Sequence, residues 1–268
     1  MHRSMLVASA AVLLIESAQP AAATQLQPVS KWAVDFGDDR CVAYRTFGSN
    51  DHPVHLLLKP SPIGDVLQVQ LAERGVNRSA SPQRLSLTLG SNEPISVPQL
   101  QYGVGGKQVR MINLSKEQTD KLSASTTLQW SEPGKQYLLA LGPMTNLIET
   151  VEKCREMLAD AWNATLTKRV MLQAPPTPAK PLVSLFSTED YPSDAAFKDQ
   201  SGFSHVVIMV NEKGQVVDCS LIATSGVAVL DAQTCIILRK RAKFAPAIGA
   251  DGKPTKGIFH QLVNWKMH

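Results

Sequence analysis

Residues 202–223 read GFSHVVIMVNEKGQVVDCSLIA, and this stretch decides the fold of the last third of the chain. Val206 to Val210 are all apolar, which predicts a buried strand. Asn211-Glu212-Lys213-Gly214 follows and has glycine where a hairpin turn needs a positive φ. A return strand from Gln215 to Ala223 completes the predicted hairpin.

The sequence on both sides of the hairpin predicts two helices and a strand. A short helix is expected at Asp194–Lys198, with Ala195, Ala196 and Phe197 packed inward. Asp231 is expected to begin a second helix that runs to about Arg241, and to accept hydrogen bonds from the free N–H groups of its first turn. The last predicted strand is Gly257 to Trp265, whose alternating side chains divide into Phe259, Val263 and Trp265 on one face and Ile258 and Leu262 on the other.

A set of short motifs occurs in a fixed order along this region. They are Tyr191-Pro192, the turn glycine Gly214, Ser225-Gly226, Leu230-Asp231, Phe244 with Pro246, and Gly252 before the final strand. In this order and spacing, residues 184–268 resemble the carboxy-terminal domain of the TonB family of energy transducers. Residues 230–235, together with Cys219, are similar to a disulfide-bearing variant found in some bacterial periplasmic members.

The resemblance implies a small αββαβ domain with a three-stranded antiparallel sheet, located in the periplasm. In the family, this domain contacts outer-membrane transporters, and a short transporter segment adds as a strand beside the last strand of the sheet. The exposed N–H and C=O groups of such an edge give affinity, and alternate side chains give specificity. The resemblance therefore assigns the partner-binding edge to Ile258, Phe259, His260, Gln261, Leu262 and Val263, and an envelope protein, such as an outer-membrane transporter, as the partner.

The amino terminus departs from the family, whose transducers keep an uncleaved membrane helix and a long proline-rich spacer. Residues 1–4 carry a positive charge, residues 5–15 are an apolar run, and residues 21–23 are alanines, which together are typical of a cleavable signal peptide over residues 1–23. The apolar run is shorter than the roughly 20 residues of a spanning helix. We therefore expect export to the periplasm, cleavage after Ala23 and no membrane span in the mature chain. Retention of this segment as an anchor is the alternative.

Residues 32–166 predict a separate β-rich domain. Period-2 patterns favour strands at Ala33–Phe36, Cys41–Phe47, Val54–Lys59, Val66–Leu71, Arg84–Leu89, Gln108–Asn113, Thr127–Trp130 and Gln136–Leu141. An apolar stripe that includes Cys154 predicts an amphipathic helix over about Met144 to Leu166. The sequence thus predicts an α+β fold: a mostly antiparallel β domain closed by a long helix, and then the αββαβ domain. Residues 174–181, rich in proline, are predicted to be an extended linker that spaces the two.

The four cysteines of an exported chain predict two disulfides. Three pairings are possible. If the chain has two domains, Cys41 pairs with Cys154 and Cys219 pairs with Cys235. No C-x-x-C spacing is present, so neither zinc nor redox chemistry is indicated.

No motif nominates a reacting group, so the sequence predicts no catalytic residue, metal or cofactor. Ser225 lies outside a G-x-S-x-G elbow, and Gly103 to Gly106 lack phosphate-loop spacing. Asp38-Asp39 is not followed by the further oxygen ligands of a calcium loop, and the histidines lack ligand spacing. The net charge of +4 does not indicate nucleic-acid binding, and the basic cluster around Arg241 complements the end of a helix.

Three functions follow from these patterns. The first is a periplasmic, non-enzymatic protein whose TonB-like domain binds a partner by strand addition. The second is a membrane-anchored TonB-type energy transducer for outer-membrane transporters. The third is an enzyme whose groups converge within residues 32–166 from positions that spacing rules miss.

Overall fold

The computed structural model describes residues 25–37, 39–75 and 81–267. The predicted signal peptide and Asp38 lie outside the described residues. No helix in the described ranges has the length and apolar character needed to cross a membrane.

The first part of the chain forms one large sheet. In the described residues its strand order is β1-β10-β9-β6-β7-β8-β5-β4-β3-β2, and all neighbours are antiparallel except β1 and β10. The strands are β1 (Gln25–Leu26), β2 (Ala33–Phe36), β3 (Cys41–Gly48), β4 (Pro53–Pro60), β5 (Leu67–Arg74), β6 (Ser81–Leu89), β7 (Ile95–Val104), β8 (Lys107–Leu114), β9 (Thr127–Glu132) and β10 (Lys135–Ala140), and the helices are α1 (Lys116–Ser123), α2 (Thr145–Ala161) and α3 (Leu166–Arg169).

The large sheet curls until its two ends meet. Residues 25–26 pair with β10, and the residues that follow turn to β3, where Pro28 bridges Phe47 and Gly48 N donates to Gln27 O. Side chains also meet across the interior, since Tyr137 Oη of β10 donates to Glu73 of β5 over 2.7 Å. We call this element the curled sheet.

The interior of the curled sheet is the larger apolar core, and it explains the alternating pattern of the sequence. Every second side chain of β4 and β5 is fully buried, as with Leu56, Leu58, Val69 and Leu71. The first half of α2 contributes Val151 and its neighbours to the same core. The helix is shorter than predicted because Asn163 adopts a left-handed φ of 50° just beyond its end.

The second part of the chain contains the predicted helix, hairpin, helix and strand. Its three-stranded sheet has the order β13-β12-β17 and is antiparallel throughout. This confirms the α+β fold class and the αββαβ order. The elements are β11 (Thr177–Pro178), two 3₁₀ turns (Leu182–Leu185 and Thr188–Asp190), α4 (Ser193–Phe197), β12 (Gly202–Val210), β13 (Val216–Ala223), α5 (Ala228–Arg241), β14 (Phe244–Ala245), β15 (Ala247–Ile248), β16 (Pro254–Thr255) and β17 (Gly257–Trp265).

Both faces of the three-stranded sheet are covered along much of their length. Val206 and Ile208 of β12 face α5. Val207 and Met209, which point the opposite way, pack with Ile258 against the second half of α2. The apolar run at 206–210 is therefore continuous because β12 is buried on both sides.

The structure contains the two disulfides expected for two domains. Cys41 of β3 bonds Cys154 of α2, and Cys219 of β13 bonds Cys235 of α5. The first bond lies in the core cluster shared by α2 and the three-stranded sheet.

The proline-rich segment, predicted to be a spacer, lies along the second part of the chain. Ala174 bridges Ile248, Thr177–Pro178 pairs with β14, and Ala179 N donates to Lys243 O. Its main chain is extended, and it is hydrogen-bonded over most of its length.

Two local predictions in this region were wrong. Phe197 is 92% exposed, whereas Ala195 of the same short helix is fully buried. Residues two apart on a helix point in opposite directions, so the predicted inward trio was geometrically impossible. In addition, α5 begins at Ala228, and the buried carboxylate of Asp231 accepts from Ser204 Oγ and Ser225 N, so it fixes the preceding loop.

Candidate partner-binding edge

The predicted edge strand β17 has the bounds that the sequence predicted, Gly257 to Trp265. In the described residues it pairs with β12 along its whole length and has no strand on its other side. The opposite edge strand, β13, approaches the curled sheet, where Lys59 Nζ donates to both oxygens of Asp218 at 2.8–3.0 Å. Of the two edges of this sheet, β17 is the one further from that contact.

The backbone of β17 has a defined orientation at its open edge. Gln261 Nε2 donates to the carbonyl oxygen of Leu262 over 2.6 Å, so this carbonyl points away from β12. The N–H and C=O of one residue in an antiparallel strand point to the same side. The N–H of Leu262 therefore also faces the open edge, and by alternation so does that of His260.

A groove of about 670 Å³ runs beside the last half of β17. One wall is made of consecutive residues, Gln261 to Met267, and the other of residues from the 3₁₀ turns and α4, including Val183, Phe186 and Tyr191. Consecutive residues of a strand point to opposite faces. A groove that touches all of them must follow the strand's edge.

Aromatic side chains form the floor of the groove. The ring of Trp265 makes edge-to-face contacts with Phe186 and Tyr191, at centroid distances of 5.6 and 5.4 Å. Its indole Nε1 donates to Thr234 Oγ1 of α5 over 2.8 Å. The polar atom of Trp265 is thus satisfied inside the core, and the rings present apolar surface to the groove.

An ion pair between buried Asp190 and exposed Arg241 fixes the wall of the groove to α5. Both carboxylate oxygens of Asp190 accept from the guanidinium of Arg241, at 2.6 and 2.7 Å. The hydrogen bond from Arg241 lowers the pKa of Asp190 to about 2, opposed by burial and assisted by hydrogen bonds from Ser187. The Arg241 guanidinium also donates to the carbonyl of Leu185, so one side chain holds both 3₁₀ turns.

The other face of β17 has a different chemistry. His260 lies beside His205 of β12, with ring centroids 5.8 Å apart, and His260 Nε2 is 3.5 Å from Arg169 Nη1 of α3. Burial, and then the positive charge of Arg169 and the neighbouring His205, hold the pKa of His260 below its ordinary value.

The six edge residues assigned from the sequence fall into four environments. Gln261, Leu262 and Val263 line the groove. Ile258 is buried under α2, and Phe259 packs on Phe244, with ring centroids 5.4 Å apart. His260 lies on the face that carries Arg169.

The groove wall was not predicted as part of the site. In the sequence, Tyr191 stands out only as half of a Tyr-Pro motif, and no pattern marks Val183 or Phe186. These residues reach β17 through tertiary packing.

A second polar cluster lies inside the curled sheet. Arg110, whose side chain is 3% exposed, donates to Glu132 over 2.7 Å and to Glu73 over 3.0 Å. Gln99 and Tyr137 bond to the same two carboxylates. Every charge in this cluster has a partner, as expected for ions that stay buried in a core. Within the described ranges no group of three or more His, Cys, Asp or Glu residues is arranged to hold a metal ion.

The comparisons with known proteins agree with the geometry of the second part of the chain. Residues 188–267 match the family described as the Gram-negative bacterial TonB protein C-terminal domain, which confirms the family that the ordered motifs indicated. Domains of this family are periplasmic and bind other proteins of the envelope. No curated protein and no solved structure matches the chain.

Proposed function

We propose that this protein binds an envelope partner in the periplasm by accepting an extended segment of that partner beside β17. The partner is a protein such as an outer-membrane transporter, and its segment becomes the fourth strand of the sheet. The protein acts without catalysis. Export depends on the predicted signal peptide at residues 1–23, which is removed after Ala23.

The groove along Gln261 to Met267 is the observation that carries this proposal. An incoming strand finds the N–H groups of His260 and Leu262 directed at the open edge and an apolar surface beside them. Main-chain hydrogen bonds supply affinity that does not depend on sequence, while Phe186, Tyr191 and Trp265 select large apolar side chains at alternate positions.

The proposal is tested with two substitutions at one position. Leu262→Pro removes an N–H that faces the open edge, and proline is tolerated at such positions of edge strands. Leu262→Thr keeps the N–H and a strand-favouring side chain. Both variants are expected to keep the wild-type circular dichroism spectrum.

The readout is capture of envelope proteins in a pull-down followed by mass spectrometry. We expect Leu262→Pro to lose the proteins that wild type retains, and Leu262→Thr to keep most of them. Equal capture by all three proteins would refute strand addition at β17.

The second candidate, a membrane-anchored energy transducer, is favoured by one observation, the apolar run at residues 5–15. If this segment is retained, the native protein sediments with membranes and has an intact amino terminus. Mass spectrometry of the native protein separates the two, because a mature chain that starts near Thr24 excludes the anchor.

A further inference from the structure

A cluster of basic side chains lies beside the open edge of β17, on the face opposite the groove. It consists of Arg169 from α3, His260 from β17 and His205 from β12. None of the ion pairs formed by the described residues involves Arg169, although the adjacent Lys168 pairs with Asp160 over 3.4 Å. Arg169 is exposed, and its guanidinium lies 3.5 Å from Nε2 of the His260 imidazole.

The guanidinium of Arg169 has a hydrogen-bond acceptor in the ring of His260 but no carboxylate partner among the described residues. Burial is the larger cause of the lowered pKa of His260, and the adjacent guanidinium adds to it by disfavouring protonation of the ring. Among the described residues, the charged or titratable groups that lower the pKa of His260 are Arg169 and His205, and neither is acidic. An anion placed between Arg169 and His260 would be attracted by the guanidinium and would favour the protonated form of the imidazole.

The position of His260 on the strand determines which group could supply that anion. In β17 the side chain of His260 points to the same face as Leu262, and its N–H points to the open edge. A residue of an added strand that lies directly opposite His260 would place its Cβ about 5 Å away on the same face. The side chain of that residue would therefore meet the guanidinium of Arg169.

We propose that the strand added at β17 carries an aspartate or glutamate at the position beside His260, and that Arg169 and His260 bind its carboxylate. The proposal rests on the strand addition proposed above and specifies the partner's sequence. On the added strand, the neighbouring residue toward the Trp265 end points to the other face, where the groove accepts an apolar side chain. The recognised segment thus has an acidic residue next to a large apolar one.

Arg169 lies outside residues 188–267, so the part of the chain that matches the family does not supply it. The contact is made by a residue that follows α2, the helix that joins the curled sheet to the three-stranded sheet. The first part of the chain would therefore contribute to specificity at an edge that the second part provides.

The test uses a library of random segments of about six residues, displayed on phage and selected on the intact mature protein. Selection is repeated on Arg169→Gln, and on Lys168→Gln as a control that removes the same charge one residue away. Enrichment of Asp or Glu at one fixed position is expected on wild type and Lys168→Gln, and is expected to vanish on Arg169→Gln.

Affinities of one selected segment complete a double-mutant cycle. Arg169→Gln should weaken the acidic segment about two- to fivefold and leave its amide counterpart, with Gln for Glu, unchanged. Segments that lose binding to Leu262→Pro but show no acidic preference would overturn the carboxylate proposal and leave strand addition standing. Segments that bind Leu262→Pro as well as wild type would overturn strand addition itself.

Discussion

At the scale of single residues, Gly214 shows how one position decides whether the hairpin forms. Its φ is +72°, and a Cβ built there would lie 1.9 Å from the carbonyl oxygen of Phe244. The turn is closed against β14, because Phe244 N donates to Gly214 O. Both the backbone conformation and the available space exclude any side chain.

Gly214→Ala should lower the free energy of unfolding by about 2–3 kcal/mol, because it adds a steric clash to the left-handed strain. Gly252→Ala is the matched control. Its φ is +77°, but a Cβ there meets nothing within 4 Å, so only the strain of about 1 kcal/mol is expected. Urea unfolding of both variants measures the difference, and equal losses would show that the contact with Phe244 is unimportant.

The roles of several residues were predictable from the sequence, because each role depends only on residues that are near in the chain. Gly214 at a turn is of this kind, and so is Ser115, whose capping box with Gln118 at the start of α1 joins residues only three apart in the sequence. Asp231 was misjudged because its partners include Ser204 on β12, a residue that is distant in sequence. The sequence indicated that Asp231 accepts hydrogen bonds from backbone N–H groups. It could not show that the donor is Ser225 N in the preceding loop.

At the scale of elements, strands were predictable where one face is buried and the other is exposed to solvent. Strand β7 was missed because Pro98 lies within it, paired with Arg84, and proline weakens a strand prediction. The closure of the curled sheet could not be predicted from the sequence either. It depends on pairing between β1 and β10, and nothing in either segment specifies its partner.

The groove wall was unpredictable for a related reason. Residues 182–190 form two 3₁₀ turns, whose position depends on Arg241 near the end of α5. The sequence assigned the basic residues of that helix end to the helix dipole. The structure shows that Arg241 also bonds Asp190 and the carbonyl of Leu185.

The contact between the wall and α5 should depend on pH. The folded pKa of Asp190, about 2, lies below the ordinary value of 3.8. The stabilisation is therefore present above about pH 4 and is lost as the pH falls toward 2. Asp190→Asn removes this dependence.

The melting temperature measured between pH 5 and pH 2 tests this prediction. Wild type should fall more steeply than Asp190→Asn over that range, with the difference confined to the acid side. Parallel curves for the two proteins would contradict it.

At the scale of the whole molecule, the two parts of the chain share a core. The second half of α2 packs against Val207, Met209 and Ile258 of the three-stranded sheet, beside the disulfide from Cys41 to Cys154. The proline-rich segment adds main-chain hydrogen bonds along β14. The three-stranded sheet is therefore held against the first part of the chain and has an open edge at β17.

The shared core predicts one cooperative unfolding transition. Met209→Ala, which truncates a fully buried side chain in that core, should cost about 2–4 kcal/mol and shift the whole transition to lower temperature. Differential scanning calorimetry distinguishes this from the alternative. Two separable heat-absorption peaks, only one of them displaced by the substitution, would show that the parts unfold independently.

The closure of the curled sheet has a consequence for how the protein is made. Gln25 and Leu26 are the first residues in the described chain, yet they pair with Leu138 and Leu139. A chain is synthesised from its amino terminus, so residues 25–26 are made long before the β10 strand with which they pair. Until β10 is made, residues 25–26 have no strand to pair with. Chaperones that bind unpaired strands have that interval in which to act.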